Sequence, residues 1–148
     1  MDSGKFHIIL ADDDLDDCLL FEDALNEYPL PMRLSIFHHG EQLMQQLGKK
    51  EEPLPDLLFL DLNMPRKTGF ECLAEIKQDE RLKQLPVIIL STSFEKDVVS
   101  LLYKNGAQYF IRKPNEFSQL REVLHKALSN MVQANLSQPH REKFVLSK

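Results

Sequence analysis

Two runs decide what this chain can become: Leu57-Leu58-Phe59-Leu60 and Val87-Ile88-Ile89-Leu90 are apolar at every position rather than at alternate ones. A strand with one solvated face alternates. A strand covered on both faces does not, and that pattern belongs to parallel sheets held between two layers of helices. Shorter runs at Phe6 to Ala11, Leu34 to Phe37 and Tyr109 to Ile111 bring the set to five. A polar turn follows each run, and in most cases a stretch with helical spacing comes next, so strand and helix alternate along the chain. With 148 residues, 43% of them apolar, there is enough core for one such domain and not for a second.

The helices are read from apolar spacing. Leu20, Phe21, Ala24, Leu25 and Tyr28 mark the first, which Pro29 and Pro31 end. Glu41 to Leu47 is the second, with Leu43, Met44 and Leu47 inward, and Phe70, Leu73, Ala74 and Ile76 follow Gly69 as the third. The fourth spans about Phe94 to Asn105, where Thr92 with Glu95 fits a capping box and Asn105-Gly106 a left-handed C-terminal cap. A fifth starts near Asn115, a good N-cap, and buries Phe117, Leu120, Val123, Leu124, Ala127 and Leu128, ending between Asn130 and Asn135. Residues 1–135 then form the domain and residues 136–148 a polar tail. A solvated end is the simpler reading of that tail, and a partner-docking arm the sharper one.

Several function classes drop out. Eighteen Lys and Arg against 23 Asp and Glu give a net charge of −5, and no basic run offers a local exception, so nucleic acid is not the expected partner. No apolar run approaches the roughly 18 residues that span a bilayer, and the N-terminus lacks the apolar core of a leader, which points to a cytoplasmic protein with no membrane partner. Cys18 and Cys72 stand far apart without His or Cys neighbours at ligand spacing, so they read as ordinary thiols in a reducing compartment. His7, His38 and His39 likewise read as strand-associated residues.

Chemistry is sought where open parallel sheets place it, at the carboxyl ends of the strands. The first strand ends in Asp12-Asp13-Asp14, the third in Asp61-Leu62-Asn63, the fourth in Ser91-Thr92-Ser93 and the fifth in Lys113-Pro114. Two carboxylates about 4 Å apart repel by roughly 4 kcal/mol at an effective dielectric near 20, and a third compounds the cost. Such a cluster calls for a cation. Carboxylates with a backbone carbonyl in an open, watered site suit Mg²⁺ better than Ca²⁺. A metal and an ammonium beside one carboxylate make a site for a doubly charged oxyanion, a phosphoryl group above all. Taken singly each element has a plain reading: Asp12 to Asp14 facing a helix dipole, Ser91 or Thr92 as a cap, Lys113 as a solvated strand end.

As a set, however, these stretches resemble the receiver domain of two-component response regulators over residues 6 to about 130, and the stand-alone, chemotaxis-regulator-like type in particular. The matching segments are Ile8 to Asp14, Asp56 to Pro65 with Thr68-Gly69, Val87 to Ser93, and Gly106-Ala107 through Lys113-Pro114. The resemblance implies a flavodoxin-like, doubly wound, five-stranded parallel sheet of order 2-1-3-4-5 with five flanking helices. It makes Asp61 the phosphoacceptor, with Asp12, Asp13, Asp61 and the Asn63 carbonyl holding Mg²⁺, Asp12 mainly through water. Ser91 and Lys113 would bind phosphoryl oxygens, Asn63 and Ser93 would line the path of hydrolytic water, and Ser91 with Phe110 would form the conformational switch. Asp14 receives no role. Lys113-Pro114 is expected cis.

The implied partners are a sensor histidine kinase or histidine phosphotransfer domain and a downstream protein target, and the resemblance leaves room for a second copy through the face of the fourth helix, fifth strand and fifth helix. Such a protein signals without turning over a substrate. An aspartate-nucleophile phosphatase is a rival, although it places a second Asp where this chain has Asn63. A pseudo-receiver scaffold is another, and the C-terminus is too short for an output module with its own core.

Overall fold

The computed structural model describes residues 5–133 and 138–147. Its elements are β1 (Phe6–Ala11), α1 (Leu15–Asn26), β2 (Met32–Phe37), α2 (Gly40–Leu47), β3 (Leu57–Asp61), α3 (Gly69–Gln78), β4 (Val87–Ser91), α4 (Lys96–Lys104), β5 (Tyr109–Arg112) and α5 (Phe117–Val132). A short 3-10 turn (Arg141–Lys143) and β6 (Val145–Leu146) follow. The strands make one sheet in the order β2-β1-β3-β4-β5-β6, every neighbouring pair parallel. This is a flavodoxin-like α/β fold, and its winding reverses between β1 and β3.

The continuous apolar runs behave as two-sided strands must. Leu57, Phe59, Ile88 and Leu90 face one way, into Phe21 and Ala24 of α1 and Val123, Leu124 and Leu128 of α5. Leu58, Leu60 and Ile89 face the other, into Leu43 and Leu47 of α2, Leu73 and Ile76 of α3, and Val99 and Leu102 of α4. Successive side chains on a strand alternate faces. Each of these strand side chains, once fully buried, contributes about 1.5–3 kcal/mol, so both helical layers are fixed to the sheet by β3 and β4.

The sheet has a sixth strand that the polar composition of residues 136–148 conceals. Val145 and Leu146 pair with Phe110 and Ile111, and Phe144 is fully buried beside Tyr103, ring centroids 5.1 Å apart. The end of the described tail is therefore folded onto the sheet through Phe144 and Leu146, while residues 140–143 stay exposed. Phe144 and Leu146 alone place one side chain in each core layer, and the Phe110 amide donates to the Phe144 carbonyl at 3.0 Å. The β5 edge, expected to help form a face open to a second copy, is already paired.

Smaller expectations also shift. Leu20 is exposed, because α1 turns Cys18, Phe21, Ala24 and Leu25 inward and Leu20 falls beside that stripe. No side chain caps α4 or α5: their N-caps are Glu95 and Glu116, not Thr92 or Asn115. Ser91 takes over the local bonding before α4, its Oγ accepting from the Ser93 amide at 3.2 Å. Gly106 does adopt the left-handed conformation, at φ 94°. Lys113–Pro114 is trans, as is every peptide bond among the described residues. The ordinary X-Pro preference prevails there, and the trans geometry still allows Lys113 N to bond the Ser91 carbonyl at 2.8 Å.

Candidate functional site

The site lies at the carboxyl rim, where the winding reverses. There β1 ends and the chain bends into α1: the Asp12 carboxylate accepts from the Asp14 amide at 3.0 Å, and Asp14 accepts from Asp17 N at 3.0 Å as the N-cap of α1. Asp14, to which the resemblance gave no role, thus has the helix-end task that the plain reading of the triplet allowed. The acidic triplet divides, with Asp14 stabilising the helix and Asp12 and Asp13 left for the site. The Asp12 amide bonds the Phe37 carbonyl at 3.0 Å, and His38 Nδ1 meets the Asp12 carbonyl at 3.0 Å, so this corner is fixed from the β2 side.

Asp61 closes β3. Its successor Leu62 donates to the Leu90 carbonyl and accepts from the Gly69 amide, which brings the start of α3 directly under the strand end. Only glycine fits there, since a Cβ on Gly69 would come within 2.4 Å of the Asp61 carbonyl oxygen. Thr68 then caps α3 with a reciprocal Thr68–Glu71 box. The β3–α3 loop between them carries Arg66 at φ 69°, the left-handed region a non-glycine residue seldom adopts.

Carboxylate oxygens of Asp12, Asp13 and Asp61 lie within 4.8 Å of one another. Asp12 and Asp61 are buried, whereas Asp13 is exposed, so the group opens to solvent on one side. Burial pushes the Asp61 carboxyl up to about 7; Lys113 opposes that rise, Asp12 adds to it, and the Asn63 amide pulls it back. The structure thus holds a buried carboxylate that costs energy to ionise unless a cation stands beside it. Three hard oxygen donors open to water fit a divalent ion that keeps part of its hydration shell.

Among the described residues, Lys113 is the one cation inside the group. Its Nζ lies 2.8 Å from Asp12 Oδ2, 2.9 Å from Asp17 Oδ2 and 3.8 Å from Asp61 Oδ1. Burial alone would lower the ammonium pKa, but the bonds to Asp12 and Asp17 and the charges of Asp61 and Asp12 outweigh it and hold the group protonated. Asp17 escaped the sequence reading. The available signal was its place in the first turn of α1, three residues after the N-cap Asp14.

The remaining candidates sit around this core. The Ser91 hydroxyl is fully buried and 3.3 Å from the exposed Ser93 Oγ. Asn63 is exposed on the loop after β3. Phe110 points inward, buried, with Phe94 edge-on at 6.0 Å. Cys18 and Cys72 are buried free thiols.

This fold and this rim define a class, and residues 8–125 match the response regulator receiver domain family, to which the chain belongs. It is 37% identical over 121 residues to response regulator Rcp1 of Synechocystis sp. PCC 6803, covering 79% of this chain and 82% of that protein. The phosphorylated cyanobacterial phytochrome response regulator RcpA superposes with a TM-score of 0.81 at 33% identity, over 89% of this chain and 98% of that one. The Mn²⁺-bound form of Rcp1 gives 0.76 at 32% identity, over 90% and 98%. Receiver domains bind a divalent metal at an acidic pocket of this kind. Among the described residues, no helix is long and apolar enough to cross a membrane.

Proposed function

We propose that this protein is a cytoplasmic, single-domain response regulator that accepts a phosphoryl group on Asp61 from a sensor histidine kinase or a histidine phosphotransfer domain. The observation that carries the reading is the convergence of Asp12, Asp13 and Asp61 within 4.8 Å, with Lys113 Nζ 3.8 Å from Asp61. Two relatives support it: RcpA has been seen phosphorylated and Rcp1 with Mn²⁺.

An Asp61 carboxylate oxygen attacks phosphorus in line, the P–N bond to the donor imidazole breaks with its electron pair leaving on nitrogen, and an acyl phosphate forms. Lys113 donates to the equatorial oxygens, where charge is spread in the transition state. Asp12, Asp13, Asp61 and the Asn63 carbonyl would hold Mg²⁺, which when bound supplies further positive charge beside those oxygens. The Ser91 hydroxyl turns toward the phosphoryl group and the space it leaves admits Phe110, altering the surface around α4 and α5, where β6 covers the β5 edge, that a downstream protein reads. Asn63 and Ser93, both on the solvated rim, line the approach of the water that hydrolyses the acyl phosphate. The cycle is stoichiometric: one phosphoryl group accepted, then released to water.

The test is incorporation of phosphate from a small phosphodonor. Wild-type protein takes up at most one equivalent, only with Mg²⁺, and Asp61→Asn takes up none. Multiple turnover of an external phosphate ester would instead place the protein among phosphatases.

A further inference from the structure

We propose that Asp17 is a positioning residue for Lys113, holding the ammonium on the α1 side of the site and thereby setting how readily its charge reaches a group carried by Asp61. The inference rests on the Asp61 reading above. Lys113 Nζ is within hydrogen-bond reach of Asp12 and Asp17 but 3.8 Å from Asp61. An ammonium has three N–H donors, and two of them are engaged away from the acceptor.

Asp17 is itself held in place. Its amide is the donor that Asp14 captures in capping α1, while the Lys113 backbone is tied to Ser91. Asp17 is absent from the acidic trio, and its carboxylate is directed at Lys113. A dianionic phosphoryl group on Asp61 must recruit the same ammonium, so Asp17 competes for it. With 35% of the Asp17 side chain exposed, solvent screens the effect to a moderate size.

Fluoroberyllate, a phosphoryl mimic, tests this by titration of wild type, Asp17→Asn, Asp17→Glu and Lys113→Met in saturating Mg²⁺, with the Asp17→Asn/Lys113→Met double variant closing the cycle. Asp17→Asn keeps the side-chain shape and removes the charge. It is expected to bind about fivefold more tightly, with Asp17→Glu close to wild type and the gain absent when Lys113 is methionine. A crystal structure of Asp17→Asn should show Lys113 Nζ moved into hydrogen-bond contact with Asp61. Unchanged or weaker binding in Asp17→Asn, an equal gain in the Lys113→Met background, or an unmoved Nζ overturns the role of Asp17 alone. Failure of wild type to bind fluoroberyllate overturns the Asp61 reading, and this inference with it.

Discussion

Lys113 Nζ lies 2.8 Å from the Asp12 carboxylate, a contact that joins residues 101 positions apart in the chain and is buried on the Asp12 side to 2% exposure. It ties the end of β1 to the end of β5 across the two central strands, so the cation serves the fold as well as the chemistry. Removing it leaves a desolvated carboxylate without a countercharge, held by the Asp14 amide.

Lys113→Met is accordingly expected to lower the stability of the metal-free protein by about 3 kcal/mol, the usual penalty for breaking a buried pair from one side. Urea denaturation in the presence of a chelator measures it. A loss below about 1 kcal/mol would show that Asp12 is better solvated than its burial indicates.

The pH dependence of the metal-free protein follows from Asp61, whose carboxyl is raised from an ordinary 3.8 to about 7, chiefly by burial. Between those two values the folded state holds a proton that the unfolded state has released, so stability falls as pH rises through the window. Asp61→Asn cannot titrate. The stability difference between wild type and this variant should therefore widen from pH 4 to pH 7, with the variant the more stable at neutral pH by on the order of 1 kcal/mol or more. Thermal melts of both proteins in chelator check this, and parallel profiles would contradict it.

Burial raises the thiols of Cys18 and Cys72 from 9.0 to about 11. Neither should react with an alkylating reagent at pH 8 while the protein is folded, and both should react at once in denaturant. The same shifts make the folded state less stable as pH climbs from 9 toward 11, because the unfolded chain releases those protons first.

Phe144 is completely buried and its ring meets Tyr103 edge-on. Phe144→Ala should cost about 3–5 kcal/mol and speed proteolysis within residues 138–147, whereas a tail free in solvent would lose nothing. Amide exchange at Phe110, whose N–H donates to the Phe144 carbonyl, reports the same event locally.

Much of this was legible in the sequence for one physical reason: a two-sided strand has no polar position, so Leu57 to Leu60 and Val87 to Leu90 announce the buried sheet, and the polar residues after each run announce the rim. The order 2-1-3-4-5 came from resemblance, since spacing along a chain does not encode which strands are neighbours, whereas the acidic trio and Lys113 followed from the rule that such sheets gather ligand-binding residues at the strand carboxyl ends. What stayed hidden was short or long-range. Val145-Leu146 is a two-residue strand, and the apolar triplet Phe144-Val145-Leu146 that breaks the polar tail is too brief for any period to register. Asp17 received no reading at all, because only the fold places it 2.9 Å from an ammonium 96 residues away. Thr92 and Asn115 have good capping chemistry, yet both lie on the site rim, and their helices begin further along without them.

The central claim is that Asp61 is the residue phosphorylated, and borohydride trapping tests it most directly. After incubation with a phosphodonor and Mg²⁺, reduction of an acyl phosphate converts the modified aspartate to homoserine, which peptide mass spectrometry locates. Homoserine at position 61, dependent on donor and Mg²⁺, is the expected result. Its absence there in protein that has demonstrably taken up phosphate, or its appearance at Asp12 or Asp13, would contradict the claim.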